Sequence, residues 1–165
     1  MNQKKFNNLA YINPDDFIYG CSKIPVKFKN GMIIGGGAIY PELNFTLPPM
    51  EVSKETMPEI VKQYREIIED ACKRAKELYV PAFVAEIELL PPMTYNPEWG
   101  IEVTKVVREV MHEYEAKYNL KSVLRITPVD IREDKQSPHM WHGSHWDAIM
   151  RTFEGCAEAG ADMLS

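Results

Sequence analysis

Val80-Pro81-Ala82-Phe83-Val84-Ala85-Glu86-Ile87-Glu88-Leu89-Leu90 reads as a strand, and Pro91-Pro92 ends it. On either side the apolar pattern changes to a helical one. Upstream, Thr56-Met57-Pro58-Glu59 has capping-box spacing, a hydroxyl with a carboxylate three residues on. Ile60, Tyr64, Ile67, Ala71, Ala75 and Leu78 then recur at helical spacing and predict one apolar face. Glu55 and Glu59 lie near the start of this helix, and Lys73, Arg74 and Lys76 near its end, which suits its dipole. Downstream, Asn96-Pro97-Glu98 opens a second helix, with Ile101, Val107, Val110, Met111, Tyr114 and Tyr118 on its buried side. Asn119 closes it, Ser122 to Thr127 forms the next strand, and Pro128 stops that strand. A third helix runs from about His145 to Glu158, with Trp146, Ile149, Met150, Phe153 and Cys156 or Ala157 at core spacing. Gly160 suits a helix C-terminus, and Met163-Leu164 begins a further strand.

Alternating strands and helices predict parallel α/β packing with right-handed crossovers. An open doubly wound sheet would show a glycine fingerprint after its first strand, and Pro91-Pro92 stands there instead. The expectation is a TIM (β/α)8 barrel, an architecture of about 250 residues. The 165 residues then supply its opening portion, and the barrel is expected to be incomplete, with Ala161 to Ser165 starting a strand. The chain divides into an N-terminal segment, 1–55, and the first βα units, 56–165. Within the former, Ile24, Val26 and Phe28 alternate as a strand, Asn30-Gly31 signals a hairpin turn, and Met32-Ile33-Ile34 returns. Gly35-Gly36-Gly37 and then Pro41 to Met50 read as a long, non-repetitive loop, a length that tends to be functional.

Composition narrows the function classes. A net charge of −5 and a pI near 5.4 argue against a nucleic-acid surface. No stretch approaches the roughly 20 apolar residues of a membrane span, and the N-terminus leads into polar sequence. The three cysteines, Cys21, Cys72 and Cys156, are widely spaced and odd in number, which suits a reducing cytoplasm and gives no disulfide framework.

Several residues have the chemistry of a site. Glu86 and Glu88 fall on one side of a regular strand, and Arg125 offers a partner from the next strand, with Asp130 just beyond that strand's end. Barrel sites gather at the C-terminal ends of strands, so these groups read equally as a polar pocket floor or as a structural ion pair. Glu42 and Asn44 could fold over the same pocket from their loop, or satisfy that loop's own backbone. His139, His142 and His145 look like metal ligands, yet their spacing matches neither a zinc finger nor His-Glu-x-x-His, and a solvated loop explains them better. Gly35-Gly36-Gly37 lacks the Lys-Ser or Lys-Thr of a phosphate loop and reads as a flexible turn. Trp99, Trp141 and Trp146 could line an apolar surface, although packing accounts for them equally.

Longer strings are more specific. Gly35-Gly36-Gly37, Pro41 to Met50, Glu88 to Thr94, Asn96-Pro97-Glu98-Trp99-Gly100 and Cys156 to Ser165 closely resemble the zinc subunit of the methanol:corrinoid methyltransferases, often called MtaB. The resemblance runs from about Tyr11 to Ser165. It implies a TIM barrel that moves the methyl group of methanol to the Co(I) corrinoid of a partner protein, as part of methanol metabolism and methanogenesis. In such a protein zinc polarises the methanol oxygen while Co(I) attacks the methyl carbon. The resemblance also implies zinc ligands of one glutamate and two cysteines lying beyond Ser165, and a homo-oligomer at full length. Cys21, Cys72 and Cys156 do not match those ligands, so no metal ligand is expected in this chain. Glu42, Asn44, Glu86 and Asp130 are the expected pocket residues, and the 165 residues alone are expected to be inactive. The alternative is a non-catalytic fragment or small α/β interaction module that binds a partner subunit.

Overall fold

The computed structural model describes residues 25–34, 40–48, 50–128 and 144–165, and the chain divides into two compact units between Pro41 and Glu42. In the first unit β1 (Val26–Lys27) pairs antiparallel with β2 (Ile33–Ile34). The Asn30-Gly31 signal makes this turn: Gly31 takes φ 83°, a conformation glycine enters without a Cβ penalty, and its N–H reaches Phe28 O at 2.9 Å. The Asn30 side chain accepts the Met32 N–H at 3.0 Å and locks the return strand.

The second unit runs β3 (Glu42–Phe45), α1 (Met57–Glu77), β4 (Ala82–Leu89), α2 (Pro91–Tyr95), α3 (Pro97–Tyr118), β5 (Lys121–Pro128), α4 (Ser144–Glu158) and β6 (Met163–Leu164). Its strands form one parallel sheet in the order β3-β4-β5-β6. Strand order follows chain order without reversal. A doubly wound sheet turns back on itself, whereas a barrel adds each strand on the same side, so this sheet is built as part of a (β/α)8 barrel. The helices follow the same sequence, with α1 against α3 and α3 against α4.

Burial explains the ordering. Phe83, Ala85, Ile87 and Leu89 of β4 and Leu124 and Ile126 of β5 point to the helix side and are buried with Ile60, Tyr64 and Ile68 of α1 and Val103, Val107 and Met111 of α3. Period-2 side chains of the strands thus meet period-3.6 side chains of the helices in one core. Small residues allow close approach where α2, α3 and α4 converge. A Cβ on Gly100 would lie 3.0 Å from Thr152 Cγ2 and 3.1 Å from Leu89 Cδ1.

Four details differ from the sequence reading. Pro41 to Met50 is not wholly loop, because Glu42–Phe45 is a strand paired with β4 from Glu42↔Val84 to Phe45↔Ile87. Four residues are too few to show a convincing alternation, and the flanking prolines mask them. Pro91-Pro92 does end β4, but it also opens the short α2, as proline without an N–H is tolerated in a first helical turn. Thr56 does not cap α1 through its side chain; its hydroxyl accepts the Ser53 N–H at 2.9 Å and contacts Glu51 O instead. Leu78 is 73% exposed rather than in the core, and Ile68 and Cys72 hold the face assigned to it.

The helix ends are as the residues suggest. Asn119 closes α3 at φ 54°. Gly160, at φ 108°, sits past α4 with its N–H on Ala157 O, while the Ala161 N–H reaches Cys156 O, the double bond of a Schellman motif. Tyr79 closes α1 by the same pattern at φ 56°, with an exposed aromatic ring where glycine is usual.

Candidate functional site

Side chains on the sheet face away from the helices are largely polar, and they cluster toward the strands' C-terminal halves. The register aligns Asn44, Glu86, Arg125 and Met163 across β3 to β6, with Glu88 opposite Thr127 one step further on. Because strand side chains alternate, Asn44 and Thr46, Glu86 and Glu88, and Arg125 and Thr127 share this face.

Glu86 is the hub and is only 7% exposed. Its Oε1 accepts from Arg125 Nε at 3.1 Å, Arg125 Nη2 at 2.9 Å and Thr127 Oγ1 at 2.6 Å. Its Oε2 accepts from Asn44 Nδ2 at 3.3 Å. Arg125 spans back to β3 through Nη1, 2.7 Å from Glu42 Oε1. Asn44 Nδ2 also donates to Glu88 Oε1 at 3.1 Å, Thr46 donates to the other Glu88 oxygen, and Thr127 Oγ1 meets Ser165 Oγ at 2.7 Å. Tyr64 of α1 donates through the sheet to Glu88 O at 2.7 Å. One carboxylate therefore joins side chains from three strands.

Burial alone would raise the Glu86 carboxyl, but contacts with Thr127, Glu42 and Arg125 outweigh it and hold the group below its ordinary 4.5. Glu86 is thus ionised and fully engaged, a poor proton donor at neutral pH. With Glu42 and Glu88 the face carries three carboxylates against one guanidinium.

Three of the four expected pocket residues, Glu42, Asn44 and Glu86, meet in this cluster, joined by Glu88 and Arg125. Asp130, His139, His142 and Trp141 lie outside the described residues. Trp99 packs against the core on the helix side, away from the polar face. The sequence reading did not name Thr46, Thr127 or Ser165. Their signal was present: each stands two residues after a polar or polar-face position in its strand.

Among the described residues no group of three or more His, Cys, Asp or Glu side chains is placed to hold a metal ion. The donors among the described residues do not fit zinc. Glu86 is committed to Arg125, Thr127 and Asn44, and burial pushes the Cys72 thiol up to about 12 and raises that of Cys156, keeping both as neutral thiols. No helix among the described residues is long and apolar enough to cross a membrane.

Comparison with known proteins bears directly on this arrangement. Residues 3–165 match the family described as MtaB, methanol-cobalamin methyltransferase B subunit. The methanol–corrinoid protein co-methyltransferase of Methanosarcina barkeri is 36% identical over 166 residues, a match covering 100% of this chain and 35% of that protein. The chain therefore spans about a third of the length of its curated relative. The crystal structure of the methanol:cobalamin methyltransferase complex MtaBC from Methanosarcina barkeri superposes with a TM-score of 0.77 at 35% identity, covering 88% of this chain and 31% of the matched one. A sequential parallel sheet, a polar face at the strand ends and a family match along nearly the whole chain lead to one assignment: the chain belongs to the methanol-cobalamin methyltransferase B subunit family.

Proposed function

We propose that these residues form part of a cytoplasmic, zinc-dependent enzyme that transfers the methyl group of methanol to the Co(I) corrinoid of a partner protein. The observation that carries this reading is the family match over residues 3–165. The polar layer around Glu86 supports it, since barrel chemistry gathers at the C-terminal ends of strands. Zinc, when bound, would supply Lewis-acid polarisation of the methanol oxygen. The part assigned to Glu42, Asn44, Glu86 and Arg125 is to build a rigid, charged pocket wall. Asp130 is proposed to complete that wall beyond β5, and the full-length protein is proposed to be a homo-oligomer.

The 165 residues alone are proposed to be inactive, because they span about a third of the length of the curated relative. The test mixes reduced corrinoid protein, zinc and methanol with either the full-length protein or this chain, and follows the absorbance change from Co(I) to methyl-Co(III). Turnover by the full-length protein and none by this chain is expected. A full-length protein that leaves Co(I) unmethylated overturns the assigned reaction. Stable association of this chain with the corrinoid protein, without turnover in either form, favours the interaction-module alternative.

A further inference from the structure

Asn30-Gly31 closes the turn between β1 and β2, and the same dipeptide places an asparagine amide next to an unshielded backbone nitrogen. Glycine has no Cβ to screen that nitrogen from the side chain before it. We propose that Asn30 is a self-modification site, closed while the hairpin is formed and open once the turn opens. The Gly31 amide gives its proton to a solvent base, and its nitrogen attacks Asn30 Cγ. The new C–N bond closes a succinimide ring, the Cγ–Nδ2 bond breaks, and Nδ2 leaves as ammonia with a proton taken from water. One water molecule then splits the ring at either carbonyl, giving aspartate or isoaspartate.

The folded turn opposes this at both reacting groups. The Gly31 N–H donates to Phe28 O at 2.9 Å, and an imide nitrogen carries no hydrogen, so ring closure removes that bond outright. The Asn30 side-chain oxygen accepts the Met32 N–H at 3.0 Å, and the Phe28 N–H donates to Met32 O at 2.8 Å. All three bonds lie within residues 28–32, so the gate is local to the hairpin. The two products differ in effect. Aspartate restores the Gly31 N–H and keeps an oxygen for Met32, so the turn reforms. Isoaspartate routes the backbone through the former side chain and adds a carbon atom to the turn. The pairing Val26↔Ile34 and Lys27↔Ile33 is then lost.

The test incubates the full chain at mildly alkaline pH, native and in guanidinium chloride, and follows conversion by tryptic digestion and mass spectrometry. Cleavage after Lys29 leaves Asn30 at the start of a peptide that also holds Asn44, followed by the bulky Phe45, as an internal reference. Asn30 is expected to convert in the unfolded chain while Asn44 does not. Conversion should be about fivefold slower in the native chain, the scale of one hydrogen bond. Equal rates in the two states, or Asn44 converting as fast as Asn30, would overturn the proposal. Amide hydrogen exchange at Phe28 and Met32 reads the turn itself. Asn30→Asp is expected to keep their protection and the isoaspartyl chain to lose it; an isoaspartyl chain with both amides still protected would overturn the assigned effect.

Discussion

On the helix side of the sheet, Phe83, Ala85, Ile87 and Leu89 pack into α1 and α3 with almost no exposure; on the other side, the alternating residues in the C-terminal halves of β4 and β5 are Glu86, Glu88, Arg125 and Thr127. The same strands therefore present a dry apolar surface and a hydrogen-bonded ionic one. The apolar side depends on the amount of surface removed from water and tolerates similar shapes. The polar side depends on direction, because each donor there has a particular acceptor. Apolar burial is concentrated on the first face, and directional pairing on the second.

The comparison is broken most severely from the helix side. Ile87→Ala removes a fully buried side chain, and a loss of about 2–5 kcal/mol in urea unfolding is expected. On the polar face, Arg125→Met leaves the buried Glu86 carboxylate without its guanidinium, and a loss of about 2–3 kcal/mol at pH 7 is expected. Pairing it with Glu86→Leu should recover most of that loss, which a mere packing defect would not do. The acid limb sharpens the contrast. Glu86 is held below 4.5 in the folded state, so its contribution is present above pH 4.5 and is lost as pH falls through the lower folded value. Stability measured against pH should therefore show a shallower acid decline in Glu86→Gln than in the parent chain. The smallest change is Glu42→Gln: with 44% of its side chain exposed, its ion pair to Arg125 should contribute about 0–1 kcal/mol, and less as salt is added.

The long elements were legible because their patterns repeat. α1 and α3 each run for more than twenty residues, so an apolar stripe is visible even with Leu78 misassigned to it. β3 was not legible: it has four residues, and strand pairing with the distant β4, rather than local propensity, makes it a strand. The same fact decided the site. Glu42 and Asn44 could be named as candidates from their chemistry, but their meeting with Glu86 and Arg125 depends on the register Asn44↔Glu86↔Arg125. Thr127 and Ser165 were missed because alternation assigns a hydroxyl to a face without saying which neighbour it meets. Thr56 shows the converse, a capping spacing whose hydroxyl the preceding turn takes for itself.

The alignment of Glu86 with Arg125 also bears on how the strands find one another. A strand displaced along its neighbour by two residues keeps every apolar side chain facing the helices, so hydrophobic burial penalises that error weakly. Such slippage would set Val123 or Thr127 opposite Glu86 and strand a carboxylate without its guanidinium. The ionic layer thus works as a vernier: it distinguishes the correct alignment from near misses that the oily side would accept.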